Sequence, residues 1–386
     1  MILLVVAGAC FGIVLLAWGV YPALMWLRAR RGAPAVAAGM PRDIACVVVA
    51  TRDAPAAALA RVRNLRASDY PAELLRVVVA VDRNAGHPLE AYRGLLGEAA
   101  VVVQGDAPGG KAANLNAGVR AASGADILVF ADVGQEFNAQ AVTRLVDTLQ
   151  DDRFGGVAGR YTQHREDSVM AAYAGLEAVI RAGQAHGHSV VSTSGSIYAI
   201  RASLWRDLPT GLICDDLYTT MSVVRQGRRV GFRQDAVAFD PRTFTRDQQF
   251  ARRVRTLTGL IQYCTLEPGA LLPWSNPIWA HFVFHKLLRL FTPIPLAVGA
   301  ASVVAWLAIT APVVLLAVAA ATVLLAILGR LVVPRAFSSA IRQVSWLLRL
   351  QLIPGLAIAN GLRRRWSVWT PTPQGNGNHA GAGAGA

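Results

Sequence analysis

Ile127-Leu128-Val129-Phe130-Ala131-Asp132-Val133-Gly134-Gln135 decides how the chain is read. The apolar run, with its β-branched members, has the length of a buried strand. It stops abruptly on a carboxylate, and Gly134 then permits a sharp turn. In open α/β sheets the carboxyl edge of the strands is where ligands bind. A carboxylate placed there can hold a divalent cation, and the cation can hold phosphates. Asp132 could equally be a turn former or a cap for the segment from Asn138. The stretch alone supports both readings.

Upstream, residues 46–50, Leu75–Val81 and residues 99–103 are further strand-like runs. Residues 55–65 between the first two read as a helix, with Pro55 suited to its first turn. Strands alternating with helices predict a mainly parallel α/β sheet covered on both faces, over residues 43–240. Asp53 and Asp82 each follow a strand and are expected on the same edge as Asp132. Three acids at three strand ends suit a nucleotide: one for the base, one for the ribose, one for a metal and a diphosphate. Each alone also reads as a solvated loop carboxylate.

Gly109-Gly110-Lys111-Ala112-Ala113-Asn114-Leu115-Asn116-Ala117-Gly118 is a Gly-rich turn running into a helix. Its spacing, and the lack of Ser or Thr after Lys111, exclude the phosphate loop of nucleoside triphosphatases. Lys111 and Lys286 are the only lysines in a chain that otherwise uses arginine. That bias points to a specific task for Lys111, such as contacting a nucleotide, against a chance survivor at a helix start. Ser194-Gly195-Ser196 reads as a loop entering a strand, where Gly195 lets backbone approach a substrate or simply makes a turn. Asp215-Asp216 precedes a helix that ends near Gly227. One of the pair could serve as a base at neutral pH, or both could be first-turn acids. Arg252, Arg253 and Arg255 either clamp a diphosphate or meet anionic headgroups.

The chain has 386 residues, a formal net charge of +14 and 54% hydrophobic residues, with a mean hydropathy of +0.38. No basic tract interleaves with aromatics, so nucleic acid is not an expected partner; arginines beside apolar segments favour a phospholipid bilayer. Cys10, Cys46, Cys214 and Cys264 have no metal-ligand spacing and read as thiols in a reducing compartment. Residues 2–27 carry no charge and suffice to span a bilayer. Arg28, Arg30 and Arg31 place the following domain in the cytoplasm, and without a preceding basic region a cleaved signal is not expected. The expected organisation is an anchor over 1–31, a linker over 32–42, the α/β domain over 43–246 and interfacial basic helices over 247–290. A transmembrane hairpin over 291–332 follows. Then come an interfacial, re-entrant or third crossing helix over 333–372 and a disordered tail over 373–386. In the last helical segment Arg342, Arg349 and Pro354 interrupt residues 337–362, favouring an interfacial or re-entrant course.

Taken in order, these residues resemble the family 2 glycosyltransferases, the superfamily of cellulose, chitin and hyaluronan synthases. The series is Asp53, Asp82, Gly-Lys-x-x-Asn-Leu-Asn, an Asp-x-Asp-like slot at Asp132, Ser-Gly-Ser with Arg201 soon after, and Asp215-Asp216. Arg252-Arg253-Val254-Arg255-Thr256, His285-Lys286-Leu287-Leu288-Arg289, Trp366 and Trp369-Thr370-Pro371-Thr372 continue it. The resemblance covers residues 43–290 well and the C-terminal membrane region more loosely. It implies a GT-A fold flanked by membrane helices, a nucleotide-sugar donor, often a UDP-sugar, and a divalent cation, Mg²⁺ or Mn²⁺, held by Asp132. It implies hexosyl transfer with inversion. Asp216 matches the catalytic base, with Asp215 in place of the usual Glu beside it. Asp53, Asp82, Lys111, Asn116, Asp132 and the three arginines match the donor side, and Ser194 and Gly195 the acceptor side.

Two departures matter. Asp132-Val133-Gly134 lacks the second acid of the Asp-x-Asp slot, so either another group helps to hold the metal or metal dependence is weak. The Gln-x-x-Arg-Trp motif of processive synthases reads Arg252-Arg253-Val254-Arg255-Thr256, which keeps only the Arg. A transfer of one or a few sugars to a lipid or glycan acceptor at the inner membrane is therefore expected, for envelope glycolipid or polysaccharide assembly. The alternatives are a catalytically impaired scaffold of the same fold and a membrane-attached nucleotide enzyme without sugar transfer. The second would leave Asp215-Asp216 without a role.

Overall fold

The computed structural model describes residues 1–32, 42–163 and 168–367. Its strands are β1 (Ala45–Thr51), β2 (Leu75–Val81), β3 (Val101–Gln104), β4 (Ile127–Asp132), β5 (Glu136–Phe137), β6 (Phe154–Gln163), β7 (Ile197–Arg201) and β8 (Arg229–Asp240). They form one sheet in the order β3-β2-β1-β4-β7-β6-β8-β5. β1 pairs in parallel with β2 and β4, and β2 with β3. β7 runs antiparallel between β4 and β6, and β5 antiparallel to β8. The expected α/β architecture with a mostly parallel sheet is present.

The alternation of side chains along each strand divides them between two cores. Val47, Val49, Val77, Val79 and Val129 face one side, with Val62 and Leu65 of the helix Pro55–Arg66 and Leu145 of Ala141–Leu149. Cys46, Val48, Val78, Leu128 and Phe130 face the other, with Leu115 of Lys111–Ala121 and Met221 of Asp215–Arg225. Burial on both faces is why these strands are unbroken apolar runs. Each fully buried valine contributes roughly 1.5–3 kcal/mol relative to exposure, so the three strands β1, β2 and β4 give the sheet edge a firm base. Thr51 pairs with Val81, and Ala50 with Asp132, so the three strand ends finish together.

Among the described residues three helices are long and apolar enough to cross a membrane: Ile2–Ala29, Pro293–Thr310 and Pro312–Val332. The first and second pack together, with Gly299 against Cys10 and Phe11. Residues 337–362 fall into two helices, Pro334–Leu350 and Leu352–Leu362. The latter lies on Arg246–Leu266, where Asn360 Nδ2 donates to Thr258 Oγ1 at 3.2 Å. The four cysteines are free, Cys46 and Cys214 being buried. Residues 33–41 of the linker, Trp369-Thr370-Pro371-Thr372 and the tail from Pro373 lie outside the described residues.

One expectation is corrected. The basic stretch around His285 was placed on a membrane surface, but His285 and Arg289 are buried inside the protein. Their partner is Glu177, on the helix Ser168–Gly187. His285 Nε2 lies 3.1 Å and Arg289 Nη1 2.7 Å from its carboxylate. Gln184 Nε2 bonds the Tyr21 hydroxyl at 2.7 Å and reaches His285 Nδ1 at 3.0 Å. Trp18 donates to Thr292 Oγ1 at 3.1 Å and receives Arg289 over its ring. Composition alone cannot tell a basic helix that meets headgroups from one that pairs with a carboxylate distant in the chain. Here a buried carboxylate supplies the counter-charge and ties the first apolar helix to the α/β domain.

Candidate active site

The carboxyl edge of β1, β2 and β4 collects the acids. Asp82 follows β2 and is 2% exposed. Its carboxylate accepts from Gly110 N at 2.6 Å, Asn84 N at 2.8 Å and Asn114 Nδ2 at 3.2 Å. These bonds fix the Gly109-Gly110 turn, whose φ angles of +100° and +96° favour glycine. The turn starts the helix Lys111–Ala121 and aims Lys111 at the site. Asp53 is tied through its backbone, its carbonyl accepting the buried Tyr92 hydroxyl at 2.5 Å. Its half-exposed carboxylate has no partner among the described residues.

Lys111 is the centre of the site. Its Nζ stands 3.0 Å from Asp132 Oδ1 and 3.2 Å from Asp215 Oδ2. Burial disfavours charge on Lys111, but Asp132 and Asp215 outweigh it and raise its pKa above the usual lysine range. Burial likewise works against Asp132, and Lys111 with the Ser196 hydroxyl, 3.2 Å from Oδ2, holds the carboxyl below its ordinary value. Asp215 is pushed up by burial and by the neighbouring Asp216 and Asp132, with Lys111 opposing. Gly195 leaves room for this arrangement, since a Cβ there would lie 3.0 Å from Nζ.

Asp215 and Asp216 open the helix Asp215–Arg225, where unpaired backbone N–H groups favour negative charge. Asp215 is buried against Lys111. Asp216 is half-buried, and among the described residues its Oδ1 accepts only from Leu217 N at 2.8 Å. Lys286, from the helical stretch that carries His285, lies close enough for Asp216 to act on its charge.

The structure separates the predicted residues. Asp82, Lys111, Asp132, Gly195, Asp215 and Asp216 gather at one edge, with Asp53 beside them. Asn116 does not join them: its side chain accepts from Leu208 N at 2.9 Å and donates to Leu208 O at 3.0 Å. Asn114 is the asparagine that meets Asp82. The signal was in the sequence, because three residues from Lys111 keeps one helix face and five does not. Replacing Asn116 with alanine is expected to cost about 1–2 kcal/mol of stability and to leave nucleotide affinity unchanged. Thermal unfolding and nucleotide titration check this. Arg201 holds Phe154 O and Leu149 O and is structural.

Nor do the three arginines form one clamp. Arg252 lies over Phe244 at 4.1 Å and Arg253 over Tyr173 at 4.5 Å. Arg255 is the one whose charge acts on Asp132, and its Nε is buried without a partner among the described residues. Ser194 contributes backbone, pairing with Ile197. Ser196 and Arg242 are the residues that sequence reading missed. Arg242 lies against Gly134 in the Asp-x-Asp slot.

A family model described as "Glycosyltransferase like family 2" matches residues 41–265. The chain belongs to this glycosyltransferase family. The fold agrees with that of a mannosyltransferase from Pyrobaculum calidifontis, determined with GDP-Man and Mn²⁺. That protein shares 20% identity, over 93% of this chain and 99% of its own, at a TM-score of 0.68. Glucosyl-3-phosphoglycerate synthase from Mycobacterium tuberculosis, with Mn²⁺ and UDP-glucose, shares 18% identity over 58% of this chain and 79% of its own, at a TM-score of 0.42. No curated protein sequence matches. The glycosyltransferase has the expected GT-A-like fold.

The metal expected at Asp132 meets an unfavourable donor set in this glycosyltransferase. Among the described residues no three His, Cys, Asp or Glu side chains gather as a metal cage. A hard divalent cation can manage with one or two carboxylates plus phosphates. Here the one carboxylate of the slot is already paired with an ammonium, and its neighbour Gly134 faces a guanidinium. The residues present do not fit the metal.

Proposed function

We propose that this glycosyltransferase moves a hexose, with inversion, from a nucleotide-sugar donor to a lipid-linked or membrane-proximal acceptor. The observation that carries the reading is the pairing at the sheet edge: Lys111 holds Asp132 and Asp215 together, while the adjacent Asp216 keeps its lone pairs open. Asp53 and the Gly109-Gly110 turn supported by Asp82 receive the nucleoside. Asp216 takes the proton from the acceptor hydroxyl as its oxygen attacks the anomeric carbon. The bond from that carbon to the diphosphate oxygen breaks on the opposite face, and the electron pair leaves with the nucleoside diphosphate. Fixed positive charge beside the departing diphosphate lowers the barrier, because it meets charge that develops in the transition state.

The apolar helices support a membrane acceptor. Tyr21 of the first and Thr292, just before Pro293–Thr310, are hydrogen-bonded into the same network as the His285 stretch. The arginines after the first helix favour a cytoplasmic site at an inner membrane. The test is sugar transfer by the purified full chain in detergent, offered UDP- and GDP-sugars with a native lipid extract. Transfer to an extractable lipid supports the reading. Folded protein that binds nucleotide but transfers nothing favours the scaffold alternative.

A further inference from the structure

The Asp-x-Asp slot has not simply lost its second acid; an arginine fills the space that acid would take. A Cβ built on Gly134 would lie 2.6 Å from both Cζ and Nη1 of Arg242 and 2.9 Å from Nη2. The guanidinium therefore lies flat against the glycine backbone, and no side chain, aspartate included, enters that space unless Arg242 moves. Arg242 is held firmly. Its Nε and Nη2 each lie 2.9 Å from the Asp240 carboxylate, and its backbone N lies 3.1 Å from Oδ1. Asp240 is fully buried and is held in turn by Gln135 Nε2 and the Tyr161 hydroxyl, both at 3.0 Å. This bidentate clamp leaves Nη1 without a protein partner among the described residues and keeps the side chain 40% exposed. On the other side of Asp132 stands the Lys111 ammonium, bridging to Asp215.

We infer, on the donor reading above, that Lys111 and Arg242 replace the divalent cation as the resident charges that hold the donor diphosphate. Two fixed cations flank the carboxylate that would otherwise take the metal. A metal ion there would displace one ammonium and confront one guanidinium, whereas a diphosphate could accept N–H bonds from both, Arg242 Nη1 having no protein partner among the described residues. Guanidinium and ammonium groups offer directed N–H donors to phosphate oxygens. When the anomeric bond breaks, the electron pair passes to the diphosphate oxygen and the two cations receive its charge. The acceptor proton goes to Asp216, and no further reactant is required.

The test is binding of UDP and of GDP to the full-length protein in detergent, measured by calorimetry in EDTA and in Mn²⁺, beside transfer assays in the same buffers. Affinity within about twofold in the two buffers is expected, since the coupling to metal is absent. R242Q should weaken binding by about tenfold in EDTA, the loss of one charge-assisted hydrogen bond. The pair G134D with R242A restores a second acid and should make binding depend on Mn²⁺. A loss of about tenfold or more on chelation of the unaltered protein overturns the inference, as metal coupling of that size means a bound ion. Chelator-independent nucleotide binding without transfer supports it while refuting the transferase reading. No binding of either nucleotide, in protein that melts cooperatively, overturns it together with the donor reading.

Discussion

Asp216→Asn is expected to lower kcat by about 10²–10⁴-fold, the usual contribution of a positioned general base. Nucleotide affinity should stay within about twofold, because the lost group acts on the acceptor proton and not on the donor. The asparagine keeps the shape and can still accept from Leu217 N, so the start of the helix Asp215–Arg225 is preserved. Asp215→Asn should behave differently. Its carboxylate is buried and paired with Lys111 at 3.2 Å. Removing it leaves the ammonium held by Asp132 alone and disturbs the donor side, so the donor KM should move more than in the Asp216 variant. Steady-state kinetics with varied donor, and nucleotide titration on both variants, separate the two acids. Equal losses in kcat with no change in donor KM would refute this division of labour.

Glu177→Gln is the substitution expected to damage the fold most. Glu177 is 8% exposed and faces His285 and Arg289, which are 3% and 9% exposed. Removing one member of a buried charge network costs about 3–5 kcal/mol, because it leaves the others unpaired. Replacing Glu177 with Leu and Arg289 with Met together should recover part of that loss, since the Arg289 guanidinium is then not left buried without its carboxylate. Melting temperatures in detergent check both. The same network sets an acid limit. Burial is the main cause that lowers the pKa of His285 from its ordinary 6.5 to about 4, with Lys286 and Arg289 acting in the same direction and Glu177 opposing. The unfolded chain therefore takes up the proton first, so stability falls as pH drops from about 6.5 towards about 4. Glu177, whose carboxyl is held well below its usual range against burial by His285, Lys286 and Arg181, adds a loss at still lower pH. The melting temperature should decline across that window, and H285N should flatten the decline.

The central strands were legible because both faces are buried. Leu75–Val81 and Ile127–Asp132 could be read to the residue, and β1 exceeds its predicted run by one residue at each end. Their acidic ends followed from parallel topology. β6 was not legible, because it carries Gly155, Gly156 and Gly159, a residue type that punctuates turns in a sequence. Gly159 is there for packing, as a Cβ would lie 2.7 Å from the Ile197 side chain. The motif holds both Asn114 and Asn116, and only helix phase separates the one that meets Asp82 from the one that does not. Arg242 was invisible for a different reason. It lies two residues beyond the end of β8, and only the pairing of sheet strands brings it to Gly134.

The position of Lys111 has a consequence for the protein as a chemical reagent target. Its amine is locked as an ammonium between two carboxylates and is a poor nucleophile near neutral pH. Lys286, the other lysine of the chain, is displaced the opposite way: burial, with Arg181 and Arg289, holds it below its ordinary range against Glu177 and Asp216. Acylating reagents select the free amine. Of the two lysine side chains, Lys111 is therefore expected to be the slower to acylate.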